Sequence, residues 1–238
     1  MKKIGIIGGL GPMATAYFMQ LITQMTEAQS DQEHIESIVI SKPGIPDRTN
    51  YILGKSDENP IGEIAAIGEC LEKMGADMVA IPCITAHYFH DELEQRINIP
   101  VIHAIKETAL YLKQYDVKKV GLMATDGTIQ CQLFQKILAE HGIESVVPDA
   151  HGQNGVMRII YDNVKAGKEV DYDAFERISQ ALRADGAQVI LLACTELSLL
   201  KKESTLSAGY LDVMEVLAKK VVESCGQLRK EYQELITV

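Results

Sequence analysis

The chain has 238 residues, of which 47% are hydrophobic and 24% are charged, and its formal net charge is −10. This is the composition of a globular protein with enough apolar residues for one large core or two smaller ones. The negative charge argues against nucleic acid and anionic membranes as partners, although a small acidic substrate could still meet local cations in a site.

The N-terminal segment and the cysteines predict a cytoplasmic protein. The apolar run after Lys2 and Lys3 is short and rich in glycine, so it predicts a β-strand rather than a signal peptide. No stretch approaches the roughly 20 apolar residues that span a bilayer. The cysteines are odd in number and form no CxxC pair, which favours a reducing compartment over a disulfide framework or a zinc ribbon. They are Cys70, Cys83, Cys131, Cys194 and Cys225.

Short apolar runs alternate with helical patterns along the chain. In chain order, the patterns predict a strand at 2–9, a helix at 12–28, a strand at 37–41, a helix at 61–74, a strand at 78–82, a short unit opening at 101–104, a helix up to about Tyr115 and a strand at 118–124. Fully apolar strands between helices are typical of parallel sheets that are covered on both faces. The sequence therefore predicts an α/β fold.

The second half of the chain repeats the first. The matched segments are 2–12 with 118–128, 74–87 with 185–198, and 100–112 with 209–221, in the same order and at nearly the same offset. A repeat of this length predicts two pseudo-symmetric lobes, each a parallel sheet flanked by helices, rather than a solenoid. We expect an N-terminal lobe of residues 1–104 with 212–238, a C-terminal lobe of residues 105–211, and the active site in the cleft between them. Strand and glycine-turn patterns common to all α/β units are the alternative explanation of the match.

A cysteine occupies the same place in both copies of the repeat. Cys83 and Cys194 each follow an apolar strand, and the carboxyl ends of parallel strands are where open α/β sheets bind ligands. Thr85 and Thr195 follow these cysteines and could cap the next helix, whose N-terminus would lower the pKa of each thiol. A cysteine in an apolar run is otherwise most often a small buried residue. That interpretation applies to Cys70, Cys131 and Cys225.

Two thiols on opposite sides of one bound molecule suit racemisation. That reaction removes a proton from one face of a tetrahedral carbon and returns a proton to the other face, so it needs a base and an acid on opposite sides. A thiol has a reference pKa of about 8.5, so a modest shift makes one cysteine a thiolate while the other stays protonated. The carbanion between them has to be stabilised by donors around its carboxylate.

Four motifs resemble those of the aspartate/glutamate racemase family, and the resemblance spans the whole chain. They are GGLGPMAT at 8–15, PDRT at 46–49, PCITAH at 82–87 and ACTEL at 193–197. The family pattern includes GGMGPxAT, PCNTAH and GCTEL. The resemblance implies a two-lobe α/β fold, an amino-acid racemase that works without pyridoxal phosphate or any other cofactor, and a homodimer.

The resemblance also implies the site residues. Cys83 and Cys194 fall on the two catalytic cysteines of the family. Arg48 and Lys165 resemble the basic residues that hold the side-chain carboxylate of the substrate, which indicates aspartate or glutamate. Outside the motif context, both would be interpreted as ordinary surface charges. The other candidates for substrate binding are Leu10, Met13, Ile84, Thr85, Thr125, Thr128, Thr195 and Glu196.

Ile84 departs from the family pattern. It stands where the family has an asparagine that helps to bind the substrate, and an isoleucine side chain cannot donate a hydrogen bond. This departure leaves two alternatives open. One is a related carbanion enzyme such as a hydantoin racemase, a maleate isomerase or a decarboxylase. The other is a catalytically impaired protein that binds a dicarboxylate or an amino acid.

Two other kinds of site are less favoured by the sequence. Gly9, Gly11 and Ala14 match the dinucleotide-binding pattern G-x-G-x-x-A, but no acidic residue ends the second predicted strand to bind a ribose. His87 and His90 lie three residues apart on a predicted helix, but no third metal ligand is evident nearby, so no metal site is predicted.

Overall fold

The alternating pattern folds into two parallel β-sheets flanked by helices, which confirms the predicted fold class. The computed structural model describes residues 2–204 and 206–238. The first half contains β1 (Ile4–Gly8), α1 (Pro12–Met25), β2 (Ser37–Ser41), α2 (Arg48–Ile52), α3 (Ile61–Lys73), β3 (Met78–Ala80), α4 (His90–Arg96) and α5 (Ala104–Gln114). Short 3-10 turns cover Asp31–Glu33 and Ile84–Phe89.

The second half has the same alternation. It contains β4 (Lys119–Met123), α6 (Asp126–Gln130), α7 (Leu133–Glu140), β5 (Glu144–Val146), α8 (Ala150–Arg158), α9 (Tyr172–Ala184), β6 (Val189–Leu192), α10 (Thr195–Glu203), β7 (Tyr210–Asp212) and α11 (Val213–Cys225). A π-helical turn at Ile159–Val164 continues α8, and a 3-10 turn covers Lys230–Tyr232.

The two sheets have the same strand order. The first is ordered β2-β1-β3 and the second β5-β4-β6-β7, with every pair parallel. Next to β3, Val101 forms a single parallel bridge with Val79, at the place that β7 occupies next to β6. The fourth strand of the first sheet is therefore reduced to one bridge, and the common order supports the repeat seen in the sequence.

The strands that reach the site are buried along their whole length. Every residue of β1, β3, β6 and β7 is buried, as expected for parallel strands covered on both faces. Helix α11 packs against both α1 and α5, so a single apolar core joins residues of the two halves. The division into lobes of residues 1–104 with 212–238 and residues 105–211 stays a prediction, because α11 packs on helices from both of them.

Helix α1 ends earlier than its apolar pattern predicts. Its last residue is Met25, because Thr26 adopts an extended conformation and its hydroxyl donates to the carbonyl of Ile22 at 2.7 Å. No helix of residues 2–204 and 206–238 is long and apolar enough to cross a membrane.

Gly9 ends β1 in a conformation that requires glycine. Its φ is +90°, and a Cβ at this position would lie 2.4 Å from the backbone nitrogen of Lys42. Gly75 has nearly the same φ, +88°, but no described atom would lie within 4 Å of its Cβ. The turn into α1 is therefore tightly packed as well as left-handed.

We expect Gly9→Ala to destabilise the protein more than Gly75→Ala. Both variants pay about 1–2 kcal/mol for a side chain in the left-handed region. Gly9→Ala also forces the Lys42 backbone to move, which adds roughly 1–3 kcal/mol. The measurement is the free energy of unfolding in urea, and equal losses in the two variants would contradict this assignment.

Candidate active site

One small cavity lies where the carboxyl ends of the two sheets meet. Cys83 follows β3 and Cys194 follows β6, and each thiol residue is only 6% exposed. The structure therefore brings the two matched cysteines of the repeat to one enclosed site. The cavity is lined by Leu10, Asp47, Arg48, Thr49, Cys83, Ile84, Thr85, Thr125, Tyr161, Lys165, Cys194, Thr195 and Glu196.

A buried guanidinium accompanies Cys83. Arg48 is the first residue of α2, and its Nη1 donates to the carbonyls of Ile45 at 3.3 Å and Pro46 at 3.0 Å. Burial lowers the pKa of Arg48, but interactions with Cys83 and Asp47 outweigh burial and raise it. Among the described residues, Nε of Arg48 has no hydrogen-bond partner. The cation is thus held in place with donor capacity left over for a ligand.

A buried carboxylate accompanies Cys194. The thiol donates a hydrogen bond to Oε2 of Glu196 at 2.9 Å, and the hydroxyl of Thr195 donates to the same oxygen at 3.0 Å. Burial and the negative charge of Glu196 raise the pKa of Cys194 well above its ordinary value, against the opposing effect of Lys165. The expectation of a lowered pKa at the start of α10 is therefore wrong for Cys194, because these two effects outweigh the helix N-terminus.

Lys165 reaches the cavity from the end of the π-helical turn. Its ammonium lies 3.9 Å from Oδ2 of Asp47 and 3.9 Å from the ring centre of Tyr161. Burial lowers the pKa of Lys165, but Glu196 and Cys194 raise it by a larger amount, so the side chain is a cation. The hydroxyl of Tyr161 donates to Asp47 at 3.2 Å, which joins the two halves of the chain across the site.

Asp47, Thr49 and Tyr161 are site residues that the sequence reasoning missed. Asp47 is adjacent to Arg48 in the PDRT motif, so the motif itself was a usable signal. Tyr161 lies four residues before Lys165 in the segment YDNVKAGK, from which only Lys165 was identified as a candidate. Its position depends on the π-helical turn, a feature that is frequent at functional sites but is not visible in the apolar pattern.

Three buried threonines form a hydrogen-bonded group between the lobes. The hydroxyl of Thr85 is 3.0 Å from that of Thr125 and 3.2 Å from that of Thr128, and the latter two are 3.1 Å apart. Thr125 caps α6, whereas Thr85 and Thr195 direct their hydroxyls to site side chains instead of capping the next helix. Thr125 lines the cavity, and Thr128 lies behind it.

The remaining candidates occupy different depths. Leu10 lines both the inner cavity and a wider outer cavity, whereas Met13 is 66% exposed and lines the outer cavity. Ile84 is 2% exposed and lines the inner cavity between Cys83 and Thr85. The position of the family asparagine therefore faces the site, and in this chain it presents a hydrocarbon surface.

Three of the six histidines lie behind the cavity. The rings of His87, His90 and His103 stack with centroid separations of 4.2–6.2 Å. His87 donates from Nε2 to the carbonyl of Ile81 at 3.2 Å, and His90 donates from Nε2 to the carbonyl of Val101 at 3.0 Å. Within the described ranges, no group of three or more histidine, cysteine, aspartate or glutamate side chains has the arrangement of a metal site.

Two α/β lobes with a cysteine at each facing strand end define the racemase class that the sequence motifs resemble. A sequence profile described as Asp/Glu/Hydantoin racemase matches residues 7–221. The chain belongs to the Asp/Glu/hydantoin racemase family.

Similar proteins agree with this assignment. The structure of Picrophilus torridus aspartate racemase is 32% identical with a TM-score of 0.87, and the match covers 98% of each chain. That of an aspartate racemase homologue from Pyrococcus horikoshii OT3 is 28% identical with a TM-score of 0.76, covering 94% of this chain and 99% of that one. The broad specificity amino-acid racemase RacX of Bacillus subtilis is 27% identical over 232 residues, which are 93% of this chain and 97% of RacX.

We expect Glu196→Gln to make the Cys194 thiol more acidic, because the variant removes the negative charge that disfavours the thiolate. In a Cys83→Ser background, the midpoint of the pH dependence of iodoacetamide alkylation at Cys194 is expected to move to lower pH. Glu203→Gln, at the exposed end of the same helix, is the control and is expected to leave the midpoint in place. An unchanged midpoint in Glu196→Gln would show that Glu196 does not control this thiol.

Proposed function

We propose that the protein is a cofactor-independent amino-acid racemase that acts on aspartate or glutamate with Cys83 and Cys194 as its two acid/base groups. The observation that carries the proposal is the meeting of these two cysteines, from equivalent strand ends of the repeat, in one cavity. The similar proteins named as aspartate and broad specificity amino-acid racemases support it.

The surroundings of the two thiols support unequal starting roles. The guanidinium of Arg48 lies beside Cys83 and can neutralise a thiolate there, whereas Cys194 is a thiol that donates a hydrogen bond to the Glu196 carboxylate. In one direction, the Cys83 thiolate takes the α-proton and the Cys194 thiol gives its proton to the opposite face of the carbanion. The cycle leaves Cys83 as the thiol and Cys194 as the thiolate, which is the starting state for the other enantiomer.

Charged groups on the cavity wall match the groups of an acidic amino acid. Arg48 and Lys165 supply two cations for the side-chain carboxylate, and the carboxylates of Asp47 and Glu196 are available to the α-ammonium group. The hydroxyls of Thr85 and Thr125 are candidate donors for the α-carboxylate, where the charge of the carbanion develops. Ile84 contributes no hydrogen bond, so these threonines carry the larger share of that role.

The test of this function is deuterium uptake at the α-carbon, followed by NMR, with each enantiomer of aspartate, glutamate and neutral amino acids in D₂O. We expect the wild type to exchange and racemise an acidic amino acid. Either Cys83→Ser or Cys194→Ser should abolish racemisation, because serine is a far weaker acid and a poor base at neutral pH. Slow exchange of one enantiomer could survive in each variant, and the surviving enantiomer should differ between the two.

Cys225→Ser is the matched control, because Cys225 is buried but lies in the apolar core away from the cavity. It should retain racemisation apart from packing losses. Full racemase activity in Cys83→Ser or Cys194→Ser would rule out the two-base mechanism. Binding without α-proton exchange in the wild type would identify a binding protein instead of an enzyme.

Charge recognition makes a separate prediction. Arg48→Ala should reduce turnover of aspartate or glutamate more than turnover of alanine, because every substrate loses the cation beside Cys83 but only the acidic substrates also lose a buried partner for the side-chain carboxylate. Part of the loss should appear in kcat, since binding a remote group positions the α-carbon. Arg177→Ala, on the exposed surface of α9, is the control. Equal losses for acidic and neutral substrates would contradict the role of Arg48.

A further inference from the structure

Ser198 and Asp212 lie directly behind the Cys194 turn. Ser198 is the fourth residue after Cys194, and its amide donates to the Cys194 carbonyl at 3.3 Å. Its hydroxyl donates to Oδ1 of Asp212 at 2.7 Å, and both side chains are fully buried. The same Oδ1 accepts from the amide of Met214 at 2.9 Å, so Asp212 also caps α11. The start of α10 is thereby tied to the start of α11.

The other half of the repeat has a chemically different pair at the same two places. His87 is the fourth residue after Cys83, and its ring stacks on that of His103 with a centroid separation of 5.4 Å. His103 caps α5 by accepting from the amide of Lys106 at 3.4 Å. The Nε2 of His87 donates to the carbonyl of Ile81, two residues before Cys83. The turn that carries Cys83 is thereby tied to the start of α5.

The charge state of the histidine pair fits a static role, whereas the pKa of Asp212 is raised to about 7. Burial, followed by the neighbouring histidines, lowers the pKa of His87 to about 3, and burial together with His90 lowers that of His103 to about 4, so both rings are neutral at physiological pH. Burial and the nearby Glu215 raise the pKa of Asp212, although Lys201 opposes them. None of the four side chains lines the cavity within the part of the chain that the structure describes.

We propose that Ser198 with Asp212, and His87 with His103, are matched positioning pairs, each of which holds one of the two cysteines in its reactive orientation. The pairs do not touch the substrate but act through the backbone on either side of each thiol. The proposal rests on the proposed function only in calling the cysteines reactive. The dependence of each cysteine on its own pair can be tested without measuring turnover.

The test measures alkylation of Cys83 and Cys194 by iodoacetamide, resolved by mass spectrometry, in single variants of the full chain. Ser198→Ala should change the rate at Cys194 by roughly three- to tenfold, the range expected from loss of one hydrogen bond, and leave Cys83 unaffected. His87→Gln should change Cys83 by a similar factor and leave Cys194 unaffected. A change confined to one cysteine is not expected from general loss of stability.

Two controls match these substitutions. Ser179 is equally buried and accepts from the hydroxyl of Tyr210 at 2.8 Å, so Ser179→Ala removes a comparable hydrogen bond that involves neither cysteine turn. His141 donates to the carbonyl of Ile137 at 2.8 Å, and His141→Gln matches His87→Gln. Both controls should leave both rates unchanged. If Ser198→Ala fails to fold, Asp212→Asn, which keeps the shape of the partner of Ser198, should change Cys194 in the same direction by a smaller factor.

The outcomes separate this inference from the proposed function. Changes confined to the matching cysteine support the positioning pairs, even if the wild type shows no α-proton exchange. Equal changes at both cysteines, or no change at either, overturn the positioning pairs, even if the wild type racemises its substrate. In an active enzyme, the positioning role also predicts that Ser198→Ala lowers kcat with little effect on KM.

Discussion

The structure depends on one geometric constraint, the placement of two equivalent strand ends on opposite sides of one small cavity. Parallel strands all have their carboxyl ends at the same edge of the sheet, and ligands bind there. A duplicated α/β unit therefore brings the carboxyl ends of β3 and β6 to the same cleft. The buried strands and the shared core of α1, α5 and α11 keep these edges together. Every other feature of the site is arranged around the two thiols that result.

The repeat makes the positions of the thiols equivalent, but their neighbours make them chemically different. Cys83 is paired with a buried cation, whereas Cys194 donates to a buried carboxylate. Two identical groups in identical surroundings would compete for a single proton with no preference. Different surroundings give the proton a defined starting place, which a two-base reaction needs if it is to begin with one thiolate and one thiol.

The same principle extends behind the site. The fourth residue after each cysteine contacts the residue that caps the following helix, although one pair is imidazole and the other is hydroxyl and carboxyl. The two halves therefore share a contact between equivalent positions, although the side chains that form it differ. The contacts of Asp47 with Tyr161 and Lys165 link the two halves of the chain where the inner and outer cavities adjoin.

Much of the fold could be predicted from the sequence, because strand and helix periods and the spacing of the repeat are local properties. They determined the α/β class, the two parallel sheets and the arrival of Cys83 and Cys194 at equivalent strand ends. The motif context also led to Arg48 and Lys165, which line the cavity. The end of α1 was missed because the hydroxyl of Thr26 ends the helix within a pattern that still reads as helical.

Only the tertiary structure decided the electrostatics of the site and the depth of each residue. The pKa of Cys194 is raised rather than lowered, because the balance depends on burial and on the direction in which Glu196 points. Tyr161 enters the cavity through a π-helical turn, and Met13 remains on the outer wall. These outcomes depend on distances between side chains whose positions follow from packing, and no local spacing in the sequence encodes such distances.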